Sequence, residues 1–156
     1  MKLEEHLDNL KRHIDIVRES CNLLGERLIK QGRNEMGVGL IKRGYQHDVS
    51  KFSGIEFQYL HNGQDVPADA LELAIKHHQS TNDHHPEYWL GIDNMPEICV
   101  MEFVCDIYAR STEFGTGLRD WIEETGIEKY KIKPDSQAMK WINETVDLLL
   151  VNYFKG

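Results

Sequence analysis

Cysteine, proline and long apolar runs are scarce in this sequence. It has four prolines and three cysteines; Cys21, Cys99 and Cys105 form no CxxC pair and lie in apolar helical patterns, so we expect buried, reduced thiols. No stretch approaches the ~18 apolar residues of a membrane span, and the N-terminal MKLEEHLDNLKRH lacks the apolar run of a signal peptide. We therefore expect a cytoplasmic protein without a membrane partner.

Basic residues are also fewer than acidic ones. There are 18 basic residues against 26 acidic ones, which gives a formal net charge of -8. Such a surface repels the phosphates of nucleic acids and of anionic membranes, so we expect no nucleic-acid polymer as a partner. A phosphorylated substrate would need a local positive centre, either a few Lys and Arg residues or a bound cation.

Convincing strand patterns are missing as well, and helical periodicity takes their place. The 156 residues, 40% of them apolar, are enough for one core, so we expect a single domain over residues 1–156. The one candidate strand is a short segment near Tyr130 to Ile132, which we do not favour. We therefore predict an all-α protein, a compact bundle of six or seven helices.

The apolar spacing places these helices along the chain. From residue 3 to 28, apolar residues recur in steps of four and three, which predicts an amphipathic helix of roughly eight turns with His6 and His13 at the edge of its apolar stripe. A second helix is predicted over about 35–48, where glycines would allow a neighbouring helix to approach closely. Further helices are predicted over about 53–60, after Val66-Pro67 through His78, from Met95-Pro96 to about Ser111, over about 118–124, and from Asp135 or Ser136 onward.

The helix ends carry further signals. Ser50 or Ser53 can cap the short third helix, with Glu56 in a capping-box position after Ser53, and Asn62-Gly63 ends it. The last helix is apolar over more than one face, which allows either a contact between subunits of a homo-oligomer or packing within the domain. Its predicted inward positions are Met139, Ile142, Val146, Leu149, Leu150 and Tyr153.

Histidine is unusually frequent. Five of the eight histidines lie between His61 and His85, interleaved with Asp and Asn, which is the composition that a metal site needs. The segment QHDVSKF places His47 and Asp48 together on the last turn of the second predicted helix, where their side chains diverge by about 100°. Both can therefore reach one cation only if that cation lies over the helix end. A capping Asp explains most such pairs, so further ligands are required.

The rest of the chain supplies such ligands. His13 lies upstream, and the helix that starts near Met95 carries Glu102 and Asp106 one turn apart beside an apolar stripe. A carboxylate in that position must be paired, ligated or protonated. For Glu102 the alternative is a salt bridge, to Arg110 or Lys51.

The order His13, His47-Asp48, Asp106 resembles the HD superfamily of metal-dependent phosphohydrolases, in which a lysine commonly follows the HD pair by three residues, as Lys51 does here. The resemblance covers roughly residues 10 to 111 and implies an HD-domain-like fold. HDVSKF, HQSTNDHHPEYW and MEFVCDIYARS are also similar to a family of small proteins known only as a domain of unknown function and frequent in phage genomes. That closer similarity implies no reaction.

The resemblance also implies a ligand set. Two-metal members of the superfamily add two histidines between the HD pair and the last Asp. One ion would be held by His13, His47, Asp48 and Asp106, and a second by Asp48 as a bridge with His78 and either His84 or His85. His77, His6 and His61 are interpreted as surface or supporting residues. Mixed imidazole and carboxylate ligands suit one or two divalent ions of Fe, Mn, Co, Ni or Zn.

Several neighbouring residues have hypothetical roles. Lys51 would stabilise charge on a phosphate oxygen or orient Asp48, and Glu102 would position a ligand histidine or move a proton. Arg110 and Asn82 are candidate substrate contacts, and Asn82 is alternatively a residue that orders the histidine loop. Two aromatic residues in that loop, Tyr88 and Trp89, either stack on a base or, as we favour, pack.

Three functional hypotheses follow. The first is a phosphohydrolase that acts on a nucleotide or a similar small phosphoester through a metal-activated water, with Asp48, Lys51 and Glu102 as catalytic residues. The second keeps the site but makes it a di-iron oxygenase, as in some relatives with four histidines and two aspartates. The third is a non-catalytic binding or inhibitory protein on the same fold.

Overall fold

The computed structural model of the protein describes residues 2–61 and 65–151. Within these ranges the chain is all-α, with seven helices and no strand, which confirms the predicted fold class. The predicted stop at Asn62-Gly63 and the inward position Tyr153 lie outside the described residues. The helices are α1 Leu3–Lys30, α2 Asn34–Gln46, α3 Gly54–Tyr59, α4 Ala68–Thr81, α5 Glu97–Phe114, α6 over residues 118–129, and α7 Gln137–Leu150.

Three short 3-10 helices connect these elements. They span Val49–Phe52, Pro86–Trp89 and Ile92–Asn94. The short strand near Tyr130 is not formed, because Tyr130 is the C-terminal cap of α6 and lies in a turn. None of the helices in the described ranges is long and apolar enough to cross a membrane.

Helices α1 and α2 pack against each other at close range, and glycines permit it. A Cβ atom on Gly37 would lie 2.4 Å from the carbonyl oxygen of Gly25, and one on Gly44 would lie 2.7 Å from Cys21 Cβ. Neither position tolerates a side chain without movement of a backbone. The close helix approach predicted from the glycines of α2 is confirmed. It brings the end of α2 against the middle of α1.

Helix α5 runs through the core and contacts α1, α2, α6 and α7. Its fully buried Val100 and Val104 belong to one continuous apolar cluster with residues of α1 and α7, such as Leu24 and Ile142. Each such side chain contributes roughly 1.5–3 kcal/mol on burial. The three cysteines are buried and unpaired, as predicted. The core therefore fixes α5, the helix that carries the predicted carboxylates, against α1.

The last two helices depart in part from their predicted form. Helix α6 continues beyond residue 124 and contains a π-helical turn, Ile122–Gly126, between α-helical Leu118–Trp121 and Ile127–Lys129. Ser136 caps α7, and its Oγ accepts a hydrogen bond from the Met139 amide at 3.1 Å. The predicted inward position Leu150 is 42% exposed, because it lies about 100° around the helix from buried Leu149.

Candidate metal centre

The predicted ligands come from five separate segments of the chain and meet at one buried carboxylate, that of Asp48. Asp48 is 1% exposed, and most residues around it are also buried. The segments are α1 with His13, the end of α2 with His47 and Asp48, α4 with His78, the loop after α4 with His84 and His85, and α5 with Asp106. Residues far apart in sequence thus lie within one cluster.

The backbone at the His-Asp pair differs from the sequence prediction. Helix α2 ends at Gln46, so His47 and Asp48 do not occupy its last turn. His47 leaves the helix with φ -56° and ψ 128°, and Asp48 is left-handed with φ 55°. This reversal directs both side chains to one point, and His47 Nε2 lies 3.3 Å from Asp48 Oδ2. A residue other than glycine pays about 1–2 kcal/mol for this conformation, so the surrounding packing must hold it.

One group of potential ligands surrounds the Oδ2 oxygen of Asp48. His13 Nε2 lies 3.5 Å from this oxygen and 2.9 Å from Asp106 Oδ1. His47 Nε2 lies 3.7 Å from the same Asp106 oxygen. His13, His47, Asp48 and Asp106 each offer one ligand atom, and these atoms all lie within 4.8 Å of one another. The group contains the four residues predicted for the first ion.

A second group surrounds the other oxygen of Asp48. His78 Nε2 and His84 Nε2 lie 3.3 Å and 3.2 Å from Asp48 Oδ1. His85 completes the group, whose ligand atoms again lie within 4.8 Å of one another. Asp48 therefore belongs to both groups, with one oxygen facing each. The sequence left His84 and His85 as alternatives, and the structure brings both into the second group.

Outer carboxylates fix the orientation of four of these imidazoles. A carboxylate can only accept, so each Nδ1 is the donor and a neutral ring carries its lone pair at Nε2, which faces Asp48. The four contacts are His13 Nδ1 to Glu113 Oε1 at 2.9 Å, His47 Nδ1 to Glu102 Oε2 at 2.9 Å, His84 Nδ1 to Glu102 Oε2 at 2.7 Å, and His78 Nδ1 to Glu56 Oε1 at 2.6 Å.

The inward-facing atoms fit a bound cation. Among the described residues, the buried atoms without a hydrogen-bond partner include Nε2 of His47, His84 and His85 and the Oδ1 oxygen of Asp48. Burial without a partner costs about 1–3 kcal/mol for each polar group. Lone pairs on nitrogen that face carboxylate oxygens repel unless a proton or a cation lies between them. The mixed nitrogen and oxygen set suits first-row transition metals.

Burial and the neighbouring charges together shift the pKa values of the cluster. Burial lowers the pKa of His13, but its pairing with Asp106, Asp48 and Glu113 outweighs burial and raises that pKa to about 9. Despite burial, the neighbouring imidazoles hold the pKa values of Asp48 and Asp106 well below their usual range. Burial lowers the pKa of His85 to about 3, with a further contribution from His84. The carboxylates are thus ionised at neutral pH, and the imidazole of His85 is neutral.

Glu102 belongs to the support of the cluster. Its Oε2 accepts from two histidines, and its Oε1 accepts from Arg43 Nε at 2.7 Å. Arg43 also pairs with Asp83. The partner of Glu102 is therefore Arg43, and neither Lys51 nor Arg110 as the sequence suggested. With donors on both oxygens, the geometry favours positioning of histidines over proton movement for Glu102.

Sequence reasoning missed Glu56 and Glu113 as histidine partners. The capping box assigned to Glu56 is wrong: the Glu56 carboxylate is 1% exposed and accepts from Ser50 Oγ at 2.8 Å and from His78. Its position among Ile55, Phe57 and Leu60 was a signal for a buried carboxylate that needs partners. For Glu113 the partner His13 is 100 positions away in sequence, and no local signal marks the pair.

The candidate substrate contacts take different positions. Lys51 Nζ lies 2.8 Å from Asp48 Oδ2, and its side chain is 12% exposed. Arg110 is 48% exposed and pairs with Glu113 at 3.1 Å. Asn82 donates to Ser50 Oγ at 3.0 Å and to the His78 carbonyl at 3.0 Å, which favours its role in ordering the histidine loop.

The remaining singled-out residues lie around the centre. His77 is half-exposed, and its Nδ1 donates to Glu56 Oε2 at 2.5 Å, so it supports the site from outside. The rings of His6 and His61 are tilted by 43° with centroids 4.7 Å apart, and both residues line the cavity described next. Trp89 is partly buried against the apolar core, as predicted, and its Nε1 donates to the Asp83 carbonyl at 2.8 Å, whereas Tyr88 is 44% exposed.

A cavity of about 710 Å³ opens onto the cluster. His13, His78, His85 and Asp106 form part of its wall, together with Lys51 and the further cations Arg12, Arg110 and Lys129. A smaller cavity of about 280 Å³ is lined by His47, Asp48 and His84 and by the side chains of Arg43, Asn82, Asp83, Tyr88 and Glu102. The ligand cluster thus lies between two cavities.

The fold and the cluster define a helical protein with a buried histidine–carboxylate centre. The chain belongs to the family of unknown function DUF5662, whose family model matches residues 2–148. No curated protein and no solved structure shows significant similarity to the chain. The similarity to an uncharacterised family is thereby confirmed, whereas membership of the HD superfamily stays a prediction.

Proposed function

We propose that the protein is a metal-dependent phosphohydrolase that acts on a nucleotide or a similar small phosphoester. The observation that carries this proposal is the arrangement of two groups of potential ligands that share Asp48 and face a cavity lined by several basic side chains. A carboxylate with one oxygen directed at each of the two groups could hold two ions close together, as in a two-metal site.

In this proposal, the two groups would hold two divalent transition-metal ions. His13, His47, Asp48 and Asp106 would be the ligands of one ion, and Asp48 with His78 and His84 or His85 those of the other. Ions bound there would supply an activated water as the nucleophile and positive charge for the phosphoryl group. Glu56, Glu102 and Glu113 keep the imidazoles oriented through their Nδ1 atoms.

The cavity suits a small anionic substrate. Its volume of about 710 Å³ lies within the roughly 300–1,000 Å³ typical of small-molecule pockets. The protein carries a formal net charge of -8, but four basic residues and three acidic ones, Glu87, Asp106 and Glu113, line this cavity, so its lining is less acidic than the protein as a whole. Lys51 holds the Asp48 carboxylate at 2.8 Å and presents its ammonium group to the cavity, where it stabilises charge on a phosphate oxygen.

The test combines metal content with turnover. Protein purified without chelator is analysed by elemental mass spectrometry, and phosphate release is screened over nucleotides and other small phosphoesters. We expect about two metal equivalents, with both metal and phosphate release lost in His47→Gln and Asp106→Asn. The matched control is Glu97→Gln on the same helix as Asp106, because Glu97 pairs with Arg33 away from the cluster.

Each other outcome has a defined meaning. Protein that stays metal-free after reconstitution with Mn, Fe, Co, Ni and Zn contradicts the proposal and leaves the binding-protein hypothesis. Bound iron with oxygen uptake and without phosphate release supports the di-iron oxygenase hypothesis. Loss of metal in Glu97→Gln as well would attribute the effect to the fold of α5 rather than to the ligands.

A further inference from the structure

The cavity that opens onto the cluster has an aromatic side. Besides the potential metal ligands and the basic residues, four aromatic residues line it. Phe103 and Phe114 belong to α5, Trp121 belongs to α6, and Tyr130 is the C-terminal cap of α6. We propose that this aromatic wall, Phe103, Phe114, Trp121 and Tyr130, binds a planar aromatic group of the substrate, with Trp121 and Tyr130 as the main contacts. The inference rests on the proposed phosphohydrolase function and adds the organic part of the phosphoester.

The structure of α6 places Trp121 in this wall. Trp121 is the last residue before the π-helical turn Ile122–Gly126, and π-turns within helices occur frequently at functional sites. Gly126 lies directly under the indole: a Cβ atom there would be 2.9 Å from Trp121 Cζ3. The lack of a side chain at Gly126 therefore leaves room for the indole against its own helix, and the Trp121 side chain remains only partly buried.

Tyr130 is held just as specifically. Its ring meets Phe103 edge to face, with centroids 5.0 Å apart and planes at 87°. Lys129 Nζ lies 5.3 Å from the centroid of the same ring. The next residue, Lys131, is left-handed with φ 53°, a conformation that side-chain-bearing residues rarely adopt, and the Ile132 amide closes the helix end on the Ile127 carbonyl at 2.9 Å. The position of Tyr130 is thus fixed before any ligand binds.

The Tyr130 hydroxyl adds a hydrogen-bond donor near the cluster. Burial raises its pKa, and the carboxylates of Glu87 and Asp106 raise it further, so the hydroxyl stays protonated at neutral pH. A protonated phenol can donate a hydrogen bond to a polar edge of a bound ring. The wall therefore combines aromatic rings with one hydrogen-bond donor, the Tyr130 hydroxyl.

A planar aromatic group matches this wall better than a polyol does. Aromatic rings stack on one another in offset or edge-to-face arrangements, and a base on an aromatic side chain is a common example. The rings of Phe103 and Phe114 offer no hydrogen-bond partner to sugar or glycerol hydroxyls.

The test measures binding without turnover. Mn²⁺-reconstituted protein is titrated calorimetrically with phenylphosphonate, methylphosphonate and inorganic phosphate. We expect phenylphosphonate to bind at least about tenfold more tightly than methylphosphonate, which corresponds to about 1.4 kcal/mol. In Tyr130→Ala and in Trp121→Leu this ratio is expected to fall to about twofold or less, while the affinity for inorganic phosphate stays the same.

The controls separate this inference from the proposed function. Trp141→Phe removes a partly buried indole from α7, packed against the core, and should keep the full preference for phenylphosphonate. Unchanged phosphate affinity in the variants shows that they fold. An equal affinity of wild type for both phosphonates, or a preference that survives both substitutions, overturns the aromatic subsite. If inorganic phosphate does not bind but phenylphosphonate binds and loses affinity in Trp121→Leu, the aromatic subsite stands and the phosphohydrolase proposal fails. If neither compound binds, both proposals fail.

Discussion

Replacement of Glu102 by glutamine tests how the cluster is supported. The Glu102 carboxylate accepts from Nδ1 of His47 and of His84 on one oxygen and from Arg43 on the other. An amide in its place must turn its NH₂ group either toward two imidazole donors or toward Arg43, so donors face donors in both orientations. The charge that holds the Nδ1 protons is also lost. Removal of such a histidine partner typically weakens metal affinity about 10–100-fold.

The assay is competition for Zn²⁺ between the protein and a chelating dye. We expect Glu102→Gln to lose affinity by about 10-fold or more, with the visible spectrum of the Co²⁺ form altered because two ligands are reoriented. Glu97→Gln, a variant on the same helix with a partner remote from the cluster, should bind like wild type. An affinity of Glu102→Gln within about twofold of wild type would refute the argument that Glu102 orients the ligands.

Three further predictions concern pH, packing and thiols. Burial lowers the pKa values of His13 and His84, but the neighbouring carboxylates outweigh burial and raise both to about 9. Because Zn²⁺ must displace these protons, its affinity should increase from pH 6.5 to about 9. A Zn²⁺ affinity that does not change with pH would contradict this prediction. Gly44→Ala should lower the free energy of unfolding by about 1–3 kcal/mol, because the new Cβ would lie 2.7 Å from Cys21 Cβ. An unchanged denaturant midpoint would show that α1 and α2 can move apart without cost. Burial raises the pKa of Cys99 to about 12, so Ellman's reagent should label this thiol only after unfolding in guanidinium. Fast labelling of Cys99 in the native protein would contradict its burial.

Much of the fold could be predicted because its signals are local. The 3.6-residue periodicity from Leu3 onward defines α1, and Ser136 caps α7 through a bond to an amide three residues away. Prolines mark the starts of α4 and α5. The π-turn in α6 and the exposure of Leu150 were not predictable, because each depends on how a helix meets the rest of the molecule.

The candidate site was likewise predictable only where its signals are local. Adjacent His47 and Asp48, with Lys51 three positions later, stand out in the sequence. The partners of the imidazoles do not, because His13 meets Glu113 across 100 positions and Glu102 meets Arg43 across 59. Glu56 was assigned to a helix cap because capping is the common local use of Glu at that spacing. Only the packing of α3 against α4 shows that it faces the His78 imidazole instead.

The left-handed backbone of Asp48 determines which substitutions at this position can be interpreted. Aspartate and asparagine are the side-chain-bearing residues that adopt this conformation most readily, and alanine is not. Asp48→Ala would therefore remove the carboxylate and strain the turn at once, and a loss of metal would have two explanations. Asp48→Asn keeps the turn and the shape of the side chain and replaces one carboxylate oxygen with an uncharged NH₂ group, so a loss of metal would then be due to the carboxylate itself.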